Sequence, residues 1–182
     1  MRKIISLFKR DYHGSRLVYE EVVAGAEWVL AGEGVATRKF DGTACMVLEG
    51  KLYQRHDATV GKAPEGFIPA QDPDVTTGHW PGWILVGDGP ENAWHREAFT
   101  GNEPDGTYEL CGPKIQGNPE KFDRHVLVPH GSEILADAPR TFEGLKSYLE
   151  HRSIEGIVWH HPDGRMVKIK RRDFFKPVRP MS

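Results

Sequence analysis

Short apolar segments separated by tight-turn residues are the feature that most constrains the fold of this chain. Val35–Phe40 and Thr43–Leu48 are interrupted by Asp41–Gly42, and Pro162–Gly164 separates two further apolar segments. Such segments, joined by turns that contain Asp-Gly, are typical of antiparallel strands. Strand segments also outnumber helical ones along the chain. We therefore expect an α+β protein built mainly from antiparallel sheets, with flanking helices.

The remaining elements follow from periodicity and turn residues. The other expected strands are Lys51–Arg55, Trp83–Val86, Thr107–Leu110, Val126–Val128, Ile154–Trp159 and Arg165–Ile169. Thr141–His151 has the apolar spacing of a helix, with Thr141 as its N-cap. Leu17–Ala31 is mostly apolar or helix-compatible and predicts another helix, which ends at Gly32–Gly34. Glu91–Phe99 predicts a short helix, and His56–Pro81 predicts a loop.

The composition is that of an ordinary globular protein. The chain has 182 residues, 24 Lys and Arg against 26 Asp and Glu, and 38% hydrophobic residues. This length favours a single domain, here residues 1–182. No apolar run reaches 18 residues, and Ile4–Phe8 is too short for the core of a signal peptide, so we expect a cytoplasmic protein with no membrane contact. Cys45 and Cys111 lack the spacing of a disulfide framework or a thiolate zinc site.

Basic residues concentrate near the end of the chain. Arg165–Arg179 contains seven Lys and Arg residues against Asp173 alone. This distribution favours a local anion-binding site. A solvated basic tail explains the same composition equally well, so charge alone leaves both interpretations open.

Four short motifs carry the candidate chemistry. In order they are Lys39–Gly42 (K-x-D-G), Tyr108–Leu110 with Glu109 at its centre, Glu155–Val158 (E-G-I-V) and Val167–Lys170 (V-K-I-K). Because residues i and i+2 of a strand share a face, Lys168 and Lys170 point into one site. Lys39 and Asp41 do the same if their strand persists to Asp41. Clustered ammonium groups attract a phosphate and lower the pKa of a neighbouring lysine, which makes that amine nucleophilic.

Each motif residue also has a purely structural interpretation. Lys168 and Lys170 are of the type that blunts an exposed edge strand. Glu109 fits a solvent-facing strand position, and Arg55 fits a surface arginine at a strand end. The adjacent histidines His160–His161 point to opposite faces of a strand, which argues against a shared zinc ion.

The ordered set resembles the covalent nucleotidyltransferases, which comprise polynucleotide ligases and messenger-RNA capping enzymes. Among them it is most similar to ATP-dependent RNA ligases of the phage type. The resemblance extends from about Val35 to Lys170. It implies a ligase-type nucleotidyltransferase domain with sheets around a nucleotide cleft. DNA ligases and capping enzymes continue into an oligonucleotide-binding-fold domain; because this sequence runs only about a dozen residues past Lys170, we expect no such domain here.

The resemblance also implies a role for each matched residue. Lys39 is the nucleophile that becomes lysyl-AMP. Glu109 binds the ribose hydroxyl. Asp41 and Glu155 contact Mg²⁺, Glu155 through water. The residues that contact the nucleotide are Lys39, Asp41, Arg55, Glu109, Glu155, Lys168 and Lys170. Arg38 differs from the Glu that many ligases carry at this position, near the base, and His125 or Leu127 falls where the family places a base-stacking aromatic residue.

The implied function is an ATP-dependent RNA ligase that joins a 5′-phosphate and a 3′-hydroxyl RNA end, with ATP and Mg²⁺ as cofactors. A role in RNA repair fits this activity. Two alternatives keep the chemistry: a ligase of DNA nicks and an enzyme that stops at adenylation. A third, of another class, is a nucleotide-binding or nucleic-acid-binding module without catalysis.

Overall fold

The computed structural model describes residues 4–176, which form two compact units. The continuous unit comprises Phe40–His130, and the discontinuous unit comprises Ile4–Lys39 together with residues 131–176. One boundary between the units falls inside the K-x-D-G motif, between Lys39 and Phe40. The predicted α+β class, with mostly antiparallel sheets and few helices, is confirmed.

In chain order the strands are β1 (Ile5–Ser6), β2 (Phe8–Arg10), β3 (Val18–Val22), β4 (Val35–Lys39), β5 (Thr43–Leu48), β6 (Lys51–Thr59), β7 (Ile68–Pro69), β8 (His79–Leu85), β9 (Gly106–Cys111), β10 (Val126–Pro129), β11 (Gly156–His160) and β12 (Met166–Lys170). The helices are α1 (Glu27–Leu30), α2 (Ala93–Ala98), α3 (Phe142–Glu150) and α4 (Arg171–Phe174), and a 3-10 turn (Pro90–Asn92) precedes α2. None of the helices within the described part of the chain has the length and apolarity needed to cross a bilayer.

The discontinuous unit is built on a four-stranded sheet with the order β1, β12, β11, β4. β1 runs parallel to β12, and the other pairs are antiparallel. Strand residues alternate between the two faces, so Val167 and Ile169 of β12 are buried while Lys168 and Lys170 lie on the other face. The buried face packs with Leu145 and Leu149 of α3 into one core. Full burial of a leucine contributes about 1.5–3 kcal/mol.

The continuous unit contains a six-stranded antiparallel sheet with the order β10, β9, β5, β6, β8, β7. Its core includes Cys45 and Val47 of β5, Tyr108 and Leu110 of β9, and Ile115 from the segment that follows. Because β9 lies between β5 and β10, both sides of its backbone are hydrogen-bonded. Glu109, the candidate ribose ligand, is therefore placed on an internal strand.

Local turn signals predicted two strand hairpins correctly, but Asp41–Gly42 does not form a third, because β4 pairs with β11 while β5 pairs with β6 and β9 in the other sheet. β5 and β6 join at Glu49–Gly50, and β11 and β12 flank the Pro162–Gly164 turn. The Thr141 cap is also present, since its hydroxyl oxygen accepts a hydrogen bond from the Gly144 amide at 3.2 Å.

Three predicted elements were wrong in extent. Leu17–Ala31 contains strand β3 before the single-turn helix α1, because Val18–Val22 pairs with β2. His56–Pro81 is not simply a loop, since β6 continues to Thr59 and β8 begins at His79. The strand predicted over Val35–Phe40 ends at Lys39 as β4, so it does not persist to Asp41, and the condition for Lys39 and Asp41 to share a strand face is not met.

Candidate active site

Three lysines share one face of the sheet in the discontinuous unit. In the strand register, Gly156 of β11 lies directly between Lys39 of β4 and Lys170 of β12. Lys168 is two residues before Lys170 on the same face. β12 is an internal strand between β1 and β11, so the interpretation of Lys168 and Lys170 as blunting an edge strand is wrong.

Glu155 joins two of these lysines. Its Oε2 accepts a hydrogen bond from Lys39 Nζ, and its Oε1 is paired with Lys170 Nζ, each at 2.6 Å. The Glu155 side chain is 11% exposed. Burial raises the pKa of this carboxyl, but Lys39 and Lys170 outweigh burial and hold the pKa below its usual range. We call Lys39, Glu155, Lys168 and Lys170 the lysine cluster.

Gly156 is required for this arrangement because two strands approach closely. A Cβ at Gly156 would lie 2.1 Å from the carbonyl oxygen of Ile169 and 2.8 Å from the Lys170 Cα. Both neighbours are backbone atoms, so a side chain here would push β12 away from β11. The close packing of β11 against β12 therefore explains why residue 156 is glycine, without any role in a turn.

Lys170 is fixed from its C-terminal side as well. Its backbone amide donates to Asp173 Oδ2 at 2.8 Å, and Asp173, which is 4% exposed, also forms an ion pair with Arg10. The next amide, of Arg171, donates to the carbonyl oxygen of Glu155 at 2.8 Å. The end of β12 and the residue before β11 are thus held together by backbone contacts.

The surroundings of Lys168 lower the pKa of its ammonium group. Burial, followed by the charges of Lys170 and Lys39, lowers its pKa to about 8. Among residues 4–176 no carboxylate lies within ion-pair distance of its Nζ. An ammonium group in this position is suited to form an ion pair with a phosphate.

Replacing Lys168 with methionine is expected to stabilise the protein at pH 7 by about 1–2 kcal/mol, because it removes a disfavoured charge and keeps the aliphatic stem. Between pH 8 and 10.5 the native lysine loses its proton while the unfolded chain keeps it. The stability of the unsubstituted protein therefore rises with pH in this window, and the advantage of the variant shrinks. Thermal unfolding at several pH values measures this. Lys62→Met, at an exposed position, is the control, and an equal Tm for both variants would contradict the expectation.

Glu109 lies in the continuous unit and is buried, with 7% of its surface exposed. Its Oε1 accepts a hydrogen bond from the Gly42 amide at 3.1 Å, and its Oε2 lies 2.8 Å from His130 Nε2. The other ring nitrogen of His130 is 3.0 Å from the Thr107 hydroxyl. The interpretation of Glu109 as a solvent-facing residue is therefore wrong.

The glycine of K-x-D-G also has a packing reason. A Cβ at Gly42 would lie 2.2 Å from the Leu110 carbonyl oxygen and 3.0 Å from the Glu109 Cγ. The adjacent Asp41 amide donates to Glu120 Oε1 at 2.8 Å. The motif backbone is thus anchored to Glu109 and to Glu120 of the loop that follows β9.

Arg55 is within β6 rather than at its end, because the strand continues to Thr59. Its guanidinium lies over the Trp83 ring, 5.2 Å from the centroid, and its Nε is 3.7 Å from Asp57. Burial lowers its pKa. Of the two residues considered for base stacking, His125 is buried against Trp94 and Leu127 packs on the core of the continuous unit.

The predicted residues are therefore distributed over both units. The discontinuous unit brings together Lys39, Glu155, Lys168 and Lys170, and the continuous unit holds Asp41, Arg55 and Glu109. The basic stretch Arg165–Arg179 divides as well: Arg165 pairs with Asp163, while Arg179 lies outside the described residues. Sequence reasoning missed His130, which stands alone beside a proline and carries no motif signal.

Comparisons with known proteins match this chain to RNA ligases. A family model described as RNA ligase 1 matches residues 100–176, which include Glu109, Glu155, Lys168 and Lys170. Among curated proteins, RNA ligase 1 of Rattus norvegicus is 28% identical, over 75% of this chain and 66% of the rat protein. RNA ligase 1 of Pongo abelii is 30% identical, over 60% of this chain and 47% of its own length.

These matches support an RNA-ligase, nucleotidyltransferase-type family and confirm the resemblance that the motifs indicated. A third relative, RNA ligase 1 of Danio rerio, is 31% identical over 52% of this chain and 40% of its own length. The chain spans less than two thirds of the length of the relatives that it matches.

Proposed function

We propose that this protein is an ATP-dependent RNA ligase that joins 5′-phosphate and 3′-hydroxyl RNA ends through a lysyl-AMP intermediate. The observation that carries the proposal is the lysine cluster, in which Lys39 and Lys170 pair with the largely buried carboxylate of Glu155 and Lys168 adds a third lysine on the same sheet face. The names of the relatives supply RNA as the substrate. In this proposal both units belong to one nucleotidyltransferase domain, with Glu109 as the ligand of the ribose hydroxyl and Asp41 and Arg55 as further nucleotide contacts.

In the first step Lys39 Nζ attacks the α-phosphorus of ATP. A phosphorus–nitrogen bond forms, the bond to the β-phosphate oxygen breaks, and pyrophosphate leaves. Before the attack Nζ must separate from Glu155, to which it is paired at 2.6 Å, and pass its proton to solvent. Lys168 and Lys170 contribute positive charge where negative charge develops on the phosphoryl oxygens.

Two further transfers complete the reaction. An oxygen of the RNA 5′-phosphate attacks the AMP phosphorus, the bond to Lys39 breaks, and the amine is regenerated. The 3′-hydroxyl of the second RNA end then attacks the activated 5′-phosphorus, AMP leaves, and the hydroxyl proton passes to solvent. The covalent step thus supplies a leaving group that a bare phosphate lacks.

The site residues fit magnesium in an indirect role. The described residues contain no group of three or more His, Cys, Asp or Glu side chains placed to hold a metal ion. Mg²⁺ keeps several waters and needs few carboxylates when phosphates are present. Both oxygens of Glu155 already contact lysines, so Glu155 would hold the ion through water, with Asp41 as the second carboxylate. When bound, Mg²⁺ supplies charge neutralisation on the phosphates.

Intact-protein mass spectrometry after incubation with ATP and Mg²⁺ tests the proposal. We expect a gain of one AMP, reversed by added pyrophosphate, and a much weaker gain with GTP. A GTP adduct of equal yield would contradict a preference for adenine over guanine. This comparison is needed because Arg38 replaces the Glu that many ligases carry near the base. No adduct with either nucleotide would favour the non-catalytic binding module.

The acceptor is tested separately from adenylation. The adenylated protein is offered single-stranded RNA, a nicked RNA duplex and a nicked DNA duplex, each with a 5′-phosphate. We expect joined product from RNA alone. Sealing of nicked DNA at an equal rate would favour a DNA nick ligase, and AMP transfer without any joining would favour an adenylation-only enzyme.

A further inference from the structure

Trp94 of α2 forms a stacked aromatic pair in the continuous unit. Its ring lies on that of His125, with centroids 4.7 Å apart and planes inclined by 19°. His125 is 6% exposed, whereas Trp94 is 38% exposed. A large aromatic ring is thus backed by a second ring and still reaches solvent.

His125 is held in place by contacts that do not involve Trp94. Its Nε2 accepts a hydrogen bond from the Lys114 amide at 3.2 Å, and Glu97 Oε1 lies 3.0 Å from its Nδ1. A Cβ added at Gly112 would lie 2.7 Å from the His125 Cα, so the backbone packs closely behind the ring. The support beneath Trp94 is therefore rigid.

The loop that supplies His125, residues 112–125, also carries exposed cations. Lys114, Lys121 and Arg124 are exposed, and none of them has a carboxylate within ion-pair distance among residues 4–176. Of the two acidic residues in the loop, Glu120 accepts the Asp41 amide and Asp123 is exposed. Unpaired cations on the loop that carries His125, together with the exposed Trp94 ring stacked on His125, match the phosphates and bases of a single strand.

The loop has a defined shape and a fixed connection to the motif. Gln116, Asn118 and Lys121 have φ values of 50°, 56° and 57°, in the left-handed region. The Asn118 amide group bonds both the amide and the carbonyl of Phe122. Glu120 then ties the loop to Asp41 of K-x-D-G. The loop therefore has a defined backbone conformation, and Glu120 connects it by a hydrogen bond to the K-x-D-G motif of the proposed nucleotide site.

We infer that Trp94 and the 112–125 loop bind a single-stranded RNA end, with one base stacked on Trp94 and the phosphates paired with Lys114, Lys121 and Arg124. This inference rests on the proposed function and names a binding surface for its substrate. Stacking of a base on an aromatic side chain is sequence-tolerant. The surface therefore selects an unpaired end rather than a particular sequence.

Equilibrium binding of a 5′-phosphorylated single-stranded RNA, followed by fluorescence anisotropy without ATP, tests the inference. Trp94→Leu is expected to weaken binding about 10-fold or more, because it removes the stacking surface. Trp94→Phe, which keeps a ring, should restore binding to within about threefold. Tyr12→Leu removes a 63% exposed aromatic residue of the discontinuous unit and is the matched control.

The cations are tested by salt dependence. The double variant Lys121→Ala/Arg124→Ala should reduce the slope of log affinity against log salt by about 1.4, since each phosphate contact on a single strand contributes about 0.7. AMP uptake measured by mass should remain unchanged in every variant. Equal RNA affinity of Trp94→Leu and Tyr12→Leu, or an unchanged salt slope, would overturn the inference. If the unsubstituted protein took up no AMP, that result would instead overturn the proposed function.

Discussion

Replacing Lys39 with arginine should abolish AMP transfer, with at least a roughly 1,000-fold loss of rate, and leave the fold intact. Arginine keeps the positive charge and the ability to pair with Glu155, but its guanidinium stays protonated at any pH that proteins tolerate and cannot attack phosphorus. The loss would therefore report on nucleophilicity rather than on charge. Intact mass and transfer of label from α-labelled ATP measure it.

The control for this variant is Lys62→Arg, the same change at an exposed position. Its AMP uptake and Tm should equal those of the unsubstituted protein. If Lys39→Arg still acquired label, Lys39 would not be the nucleophile. Peptide mapping of the labelled protein would then examine Lys168, whose pKa burial lowers to about 8.

Replacing Glu155 with glutamine is expected to be the most destabilising change at the site. The carboxylate is 11% exposed and pairs with both Lys39 and Lys170. Its removal leaves three lysines on one sheet face without a counter-charge, which should cost about 2–4 kcal/mol. Adenylation should fall as well, because Lys39 is no longer oriented.

The pH dependence of this effect has a definite sign. The lysines hold the pKa of Glu155 below its usual value despite burial, so the ion pairs stabilise the fold at pH values above about 4.5. That stabilisation is lost as pH falls through the lowered pKa. The Tm difference between the protein and Glu155→Gln should therefore be full at neutral pH and shrink in acid. Glu150→Gln, at an exposed position of α3, should show no such difference.

Local sequence signals predicted the parts of the fold that depend on neighbouring residues. The hairpin turns and the Thr141 cap are of this kind, since their geometry is set within a few residues. Val18–Val22 forms a strand because it pairs with β2. The periodicity of a segment gives no information about which other segment it pairs with. The same reason explains why the extent of β6 was missed, because its second half pairs with the distant strand β8.

At the candidate site, motif order predicted a set of residues but not how they contact each other. The expected sharing of a face by Lys168 and Lys170 follows from strand periodicity alone. The bridging of Lys39 and Lys170 by Glu155 depends on Gly156 being opposite both lysines, which no local pattern specifies. His130 was missed for the same reason, since its proximity to Glu109 arises from the pairing of β9 with β10.

The residues of the lysine cluster are far apart in the sequence, so the ribosome synthesises them at different times. Lys39 and Glu155 are 116 residues apart in the chain, and both Lys168 and Lys170 are translated later still. During translation, therefore, the ribosome makes the candidate nucleophile long before the other residues of the lysine cluster. The lysine cluster therefore forms only after β11 and β12 have been synthesised and β11 has paired with both β4 and β12, and any reaction that depends on the cluster waits for that pairing.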